Sequence, residues 1–195
     1  MNEKKEKIAS LLEESISVKR KLLESGIEPV CRAVEIIVDS LKAGGKVLLF
    51  GNGGSAADAQ HLAAEFVNRF LIERKALPAI AITTDSSILT CIGNDRDYNE
   101  IFSRQIEALG TPGDVAFGIT TSGRSPNVIH ALERAKEKGL STISLIGENM
   151  GSIEHCSDVV IKVPSSHTPR IQEAHITIGH IICHLAEEEL FKPNE

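Results

Sequence analysis

The chain has 195 residues, 42% of them hydrophobic, with 21 Lys and Arg against 27 Asp and Glu and a formal net charge of −6. That length suffices for one sizeable core without demanding a second domain, and the negative balance excludes bulk attraction to nucleic acid or an anionic membrane. An anionic ligand therefore has to be held by local donors.

The first ten residues mix both charges where a secretory signal needs an apolar run, and no later stretch reaches the roughly 18 apolar residues of a membrane span. The expected location is the cytoplasm. Cys31, Cys91, Cys156 and Cys183 form no C-x-x-C pair, so all four are expected to be buried thiols.

In chain order, two helices come first, at about residues 4–23 and 29–43, with Gly26 and Pro29 as the break. Ile8, Leu11, Leu12 and Ile16 recur at helical spacing, giving the first helix an apolar face for its own core or for another subunit. After Gly44-Gly45 the pattern changes to short β-rich runs at 46–50, 79–83, 115–120, 141–146 and 159–163. Helical stretches at 56–70, 98–109 and 125–138 lie between them, and a last helix covers about 169–190, with Pro169 at its first position after Thr168 as N-cap. Alternation of this kind predicts an α/β fold, a doubly wound five-stranded parallel sheet flanked by helices on both faces.

In such sheets ligands bind beyond the carboxyl ends of the strands, and two of the predicted ends carry unusual residues. The first is Gly51-Asn-Gly-Gly-Ser55, whose glycines permit positive φ and close backbone approach to an anion, with Ser55 placed to cap the next helix. On that helix His61 and Glu65 lie four apart and share a face, where imidazole and carboxylate suit zinc or proton transfer. The second is Thr120-Thr-Ser-Gly-Arg-Ser-Pro-Asn127, where Thr120, Thr121, Ser122 and Ser125 offer hydroxyls at a helix N-terminus. Arg124 reads as a solvated loop residue. Between the two, Gly93-Asn-Asp-Arg-Asp97 reads as a turn able to bind sugar hydroxyls.

On the last helix Gln172 and His180 are eight residues apart, about 12 Å along the axis and roughly 80° around it. To meet at one metal they must lean together, use an irregular first turn, or come from different subunits. His175 and His184, among isoleucines, read as packing or interface residues, and Glu187 to Glu189 as a solvated end.

Taken together, Gly51-Asn-Gly-Gly-Ser55, His61 with Glu65, Gly93-Asn-Asp95, Asn99 through Arg104, Thr121-Ser-Gly123, and Arg170-Ile-Gln-Glu173 with His180 resemble the sugar isomerase (SIS) family and, within it, the phosphoheptose isomerases. The resemblance covers nearly the whole chain, implying one SIS domain over 1–195 with an N-terminal helical segment at about 1–43. It implies a homotetramer with sites between subunits, and one zinc per subunit bound by His61, Glu65, Gln172 and His180. Substrate contacts are implied at Asn52, Gly53, Gly54, Ser55, Glu65, Asn94, Asp95, Thr120, Thr121, Ser122, Ser125 and Gln172. The implied reaction turns sedoheptulose 7-phosphate into a heptose 7-phosphate for nucleotide-activated heptose and lipopolysaccharide synthesis. Pro169 departs from relatives that carry an acidic residue there.

Such a conversion moves a proton between adjacent carbons through an enediol, which needs a base, an acid or base at the oxygens, and stabilisation of developing negative charge. Glu65 is the expected base and His180 its partner. Two other readings compete. One is a non-catalytic member of the fold that binds the replication initiator. The other is a dinucleotide enzyme, since Gly51, Gly53 and Ala56 fit G-x-G-x-x-A, although Asp85 is 32 positions beyond Gly53 against the usual gap of about 20.

Overall fold

A computed structural model describes residues 3–192; Met1, Asn2 and the last three residues lie outside the described part. Helices α1 (Glu3–Ser25) and α2 (Ile27–Lys42) lead into β1 (Val47–Gly51), α3 (Gly54–Val67), β2 (Ala79–Ala81) and α4 (Ser86–Asp95). After a 3₁₀ turn at Tyr98–Glu100 come α5 (Ser103–Leu109), β3 (Val115–Thr120), α6 (Pro126–Glu137), β4 (Ser141–Ile146), β5 (Val159–Lys162) and α7 (Thr168–Phe191). The strands form one parallel sheet in the order β2-β1-β3-β4-β5.

A parallel sheet needs cover on both faces, and alternation along the strands supplies it. Val47, Leu49, Phe117, Ile119 and Leu145 join a core with α2, α3 and α7, while Leu48, Phe50, Ala116 and Ile146 join a second core with α4, α5 and α6. The expected doubly wound architecture is therefore present, with α3 and α6 leaving neighbouring strands for opposite faces.

Several local expectations are corrected. Only Gly26 separates α1 from α2, and Pro29 sits inside the first turn of α2, where a missing N–H costs nothing. The turn expected at 93–97 is helical as far as Asp95, the end of a helix over 86–95 started by Asp85, whose carboxylate accepts the Ile88 N–H at 2.9 Å. This cap also occupies the nearest acidic residue after β2, the one the dinucleotide reading would use. Cys31 and Cys91 are exposed and only Cys156 and Cys183 are buried, because the first two lie on the outer sides of α2 and α4. In α1 only Val18 is buried, while Ile8, Leu12, Ile16 and Leu23 are exposed. The apolar spacing of that helix thus serves little of this chain's own core. His167, not Thr168, is the N-cap of α7.

Candidate active site

The order of the strands makes β1 and β3 the switch point of the sheet, where a crevice opens between two diverging helices. Register sets Gly51 beside Ile119, so the two polar loops of the sequence leave the sheet side by side. Gly53, with φ of 54°, is the N-cap of α3 and turns the chain sharply into the helix. That moves the helix start two residues earlier than expected, from 56 to Gly54. Ser55 is consequently not the cap: it lies buried inside the first turn, its N–H donating to the Asn52 carbonyl at 3.0 Å.

Beyond β3, the Thr120 hydroxyl lies 2.9 Å from that of Ser125 and 3.4 Å from that of Ser122. Ser125 is the N-cap of α6, yet its side chain does not cap the helix. It is turned to Thr120 instead. Both α3 and α6 thus begin without a side-chain cap; the N–H groups of Ser55 and Val128 turn to the Asn52 and Ser125 carbonyls, which leaves Gly54 and Asn127 to offer the leading N–H groups to an anion. Thr121 is half-buried and Ser122 exposed in the same loop, with Gly123 at φ of 64° bending it back.

The loops are joined by a residue that sequence reasoning missed. Asn52 and Asn127 exchange two amide hydrogen bonds of 2.9 Å each, and Asn127 is 2% exposed. Nothing in a lone Asn after a proline distinguishes it from any first-turn residue. Asn127→Ala is expected to leave the Asn52 amide unheld and to raise the KM for sugar phosphate on the order of tenfold, with kcat little changed. Steady-state kinetics check this, and an unchanged KM would remove Asn127 from the site.

Asn94 and Asp95 end α4, exposed and bonded to each other at 2.7 Å. Tyr98, three residues beyond Asp95, reaches the first loop, its hydroxyl donating to the Asn52 side-chain amide oxygen Oδ1 at 3.4 Å.

The second half of the site lies along α3 and α7, which pack closely because Gly179 lacks a side chain. A Cβ there would come within 2.6 Å of Leu62. That contact is adjacent to His61 on one helix and His180 on the other, and it brings their rings together. The two Nε2 atoms are 2.8 Å apart, and His61 Nε2 is 3.3 Å from a Glu65 carboxylate oxygen. Among the described residues, His61, Glu65 and His180 are the one group of His, Cys, Asp and Glu side chains whose donor atoms all lie within 4.8 Å of one another. Two imidazole nitrogens and a carboxylate aimed at one point match the donor set zinc takes. The half-buried Asp58 carboxyl, one turn before His61, is pushed up by burial and drawn down less strongly by His61.

Gln172 stands apart from these three. Its amide lies against Gly54, so close that a Cβ at Gly54 would collide with it. Gly54 and His61 are two helical turns apart, about 10 Å along the axis, so within one chain the amide meets the phosphate-type loop rather than the imidazoles. His175 is fully buried as packing, its imidazole pushed down to about 4 by burial, which outweighs the opposing pull of the Ile146 backbone carbonyl. His184 pairs with Glu188 at 3.1 Å.

Glu187 corrects the expectation of a solvated end. It is 2% exposed and accepts the N–H groups of Phe70, Leu71 and Ile72 at 2.7 to 3.0 Å, together with Arg74 Nε at 2.9 Å. Neighbouring Glu188 and Glu189 stay half-buried and exposed.

Comparison with known proteins agrees with this fold. The family model described as SIS domain matches residues 11–147. The phosphoheptose isomerase of Clostridium acetobutylicum is 53% identical over 186 residues, covering 94% of this chain and 95% of the relative. That of Citrifermentans bemidjiense is 62% identical over 159 residues, covering 82% and 83%. The structure of phosphoheptose isomerase from Neisseria gonorrhoeae superimposes with a TM-score of 0.89 at 43% identity, covering 94% of this chain and 98% of that one. With its fold, its paired loops and this likeness over nearly its whole length, the chain belongs to the phosphoheptose isomerases of the SIS-domain family.

Proposed function

We propose that this chain converts sedoheptulose 7-phosphate to D-glycero-D-manno-heptose 7-phosphate by proton transfer through an enediol. The observation that supports this most strongly is a match of lengths. About 10 Å separates the start of α3 from His61 along the helix, and an extended heptose chain spans about 9 Å from phosphorus to its carbonyl carbon, its bonds of about 1.5 Å each advancing about 1.3 Å along the zigzag. A phosphate at the loops therefore carries the carbonyl end to the imidazole and carboxylate cluster.

In this reading Gly53, Gly54 and Ser55 on one side and Thr120, Thr121, Ser122 and Ser125 on the other surround the phosphate. Asn52, Asn94, Asp95 and Gln172 take the sugar hydroxyls. Glu65 removes a proton from C1 and returns it to C2, while His180 moves a proton between O1 and O2. His61, Glu65 and His180 are the residues that would hold a zinc, with Gln172 proposed as the fourth ligand. When bound, the metal supplies Lewis-acid polarisation of the carbonyl and hydroxyl oxygens.

Homotetramer formation is proposed on the exposed Ile8, Leu12, Ile16, Leu23, Ile27 and Ile181 of the helical face formed by α1, α2 and α7. A cytoplasmic place in nucleotide-activated heptose and lipopolysaccharide synthesis is proposed from the family. No helix is long and apolar enough to cross a membrane among the described residues. The reading as a non-catalytic partner of the replication initiator finds no support, since relatives at 50% to 62% identity are named phosphoheptose isomerase.

The test is incubation of purified protein with sedoheptulose 7-phosphate, with and without a chelator. Aldose phosphate is expected to form, to stop forming after chelation, and to return with added zinc. Product that survives full metal removal would reject the metal assignment, and absence of product under all conditions would reject the activity.

A further inference from the structure

We propose that Arg74 is a positioning residue for the reacting cluster: its buried pair with Glu187 sets how α3 and α7 stand where they carry His61, Glu65 and His180. This rests on the cluster being the reacting centre. Both side chains of the pair are 2% exposed. Arg74 lies past the end of α3 and folds back on it, donating from Nη2 to the backbone carbonyl of Glu65 itself at 2.8 Å. Its Nη1 donates to the carbonyls of Phe66 at 2.8 Å, Lys75 at 3.0 Å and Asn68 at 3.4 Å.

These include carbonyls that the C-terminus of α3 leaves without helical partners. One guanidinium thus closes the end of the helix that carries the proposed base. Its remaining donor, Nε, reaches across to Glu187 at 2.9 Å. Glu187 lies on α7 seven residues after His180 and takes three successive N–H groups of the loop from Phe70 to Ile72. The Arg74 guanidinium also stands 5.6 Å from the centre of the Phe191 ring at the end of α7. The pair is therefore a clamp between two helices, fastened just beyond the point where the helices bring two imidazoles within 2.8 Å.

Only a planar fork with several donors in fixed directions can make these contacts together. Lysine at this position keeps the charge and can pair with Glu187, but it cannot span the α3 carbonyls. Arg74→Lys is expected to fold, to lower kcat by about 10- to 100-fold, and to leave KM and the affinity for inorganic phosphate within about twofold, because the phosphate loops lie at the other end of α3. In metal-free protein, the imidazole ¹⁵N resonances of His61 and His180 are expected to shift. Arg134→Lys, which alters only an exposed pair with Glu137, serves as the control and should change none of these.

If Arg74→Lys does not fold, Glu187→Gln is measured in the same way. A variant that is folded but less heat-stable, with native kcat per folded molecule and unmoved imidazole resonances, would show a merely structural pair and overturn the proposal. Should the wild-type protein lack isomerase activity, the functional reading fails, and the imidazole resonances of the metal-free variant still decide for or against the clamp.

Discussion

Glu65→Gln is expected to lower kcat by about 10²- to 10⁴-fold, the usual contribution of a positioned general base, with sugar phosphate still bound. The amide keeps the shape of the carboxylate but cannot accept a carbon-bound proton. Its surroundings tolerate the change, because the Glu65 side chain is partly exposed and, among the described residues, pairs with His61 alone, at 3.3 Å. The phosphate loops lie at the far end of α3 and are untouched, so KM should move little. Glu65 is also a proposed metal ligand, so zinc content must be measured alongside turnover. Loss of turnover with zinc retained assigns the base, whereas loss of both in parallel assigns only a ligand. Turnover near the native value would remove Glu65 from the chemistry.

Glu187→Ala is expected to cost about 3–5 kcal/mol of folding stability, the typical result of stripping one partner from a buried ion pair. The change leaves a buried guanidinium without its carboxylate and three backbone N–H groups without an acceptor. Set against a total of roughly 5–15 kcal/mol, that is a large fraction. Urea unfolding measures it, and a loss under about 1 kcal/mol would contradict the role assigned to the pair.

The same residue gives the acid limb of stability a definite sign. Burial alone would raise the Glu187 carboxyl, but the Phe70, Leu71 and Ile72 N–H groups and Arg74 together hold it below its ordinary range. A group depressed in the folded state contributes stability that is complete above its unfolded value, about 4.3, and is lost as pH falls through its folded value. Glu187→Ala should therefore flatten the loss of stability below about pH 4 relative to the native protein.

What could be read without coordinates follows from the range of the interactions involved. Strands β3 and β4 were legible to the residue because apolar, β-branched runs bounded by turn residues report burial on two faces. The pairing of His61 with Glu65 was legible because helical spacing alone puts them together. Helix α4 was hidden by β-branched residues and Gly93, both poor helix formers, although Asp85 gave a readable cap. The roles of Ser55, Asn127 and Glu187 were not legible, because each depends on which distant segment arrives beside it. Glu187 shows this most plainly: three adjacent glutamates near a chain end look solvated until a loop more than a hundred residues earlier supplies its donors.

Gln172 marks the same boundary from the other side. Its family resemblance points to the metal, while packing within one chain puts its amide against Gly54. Periodicity on α7 gives its height along the helix but not its partner, which depends on how α3 and α7 cross and on what other subunits bring.

The most direct test is a crystal structure of the Glu65→Gln variant holding sedoheptulose 7-phosphate. The account predicts the phosphate between the start of α3 at Gly53 to Ser55 and the hydroxyls of Thr120, Ser122 and Ser125, with C1 and C2 beside residue 65 and His180. A ligand whose phosphate lies away from both loops, or whose carbonyl end points away from His61 and His180, would contradict it.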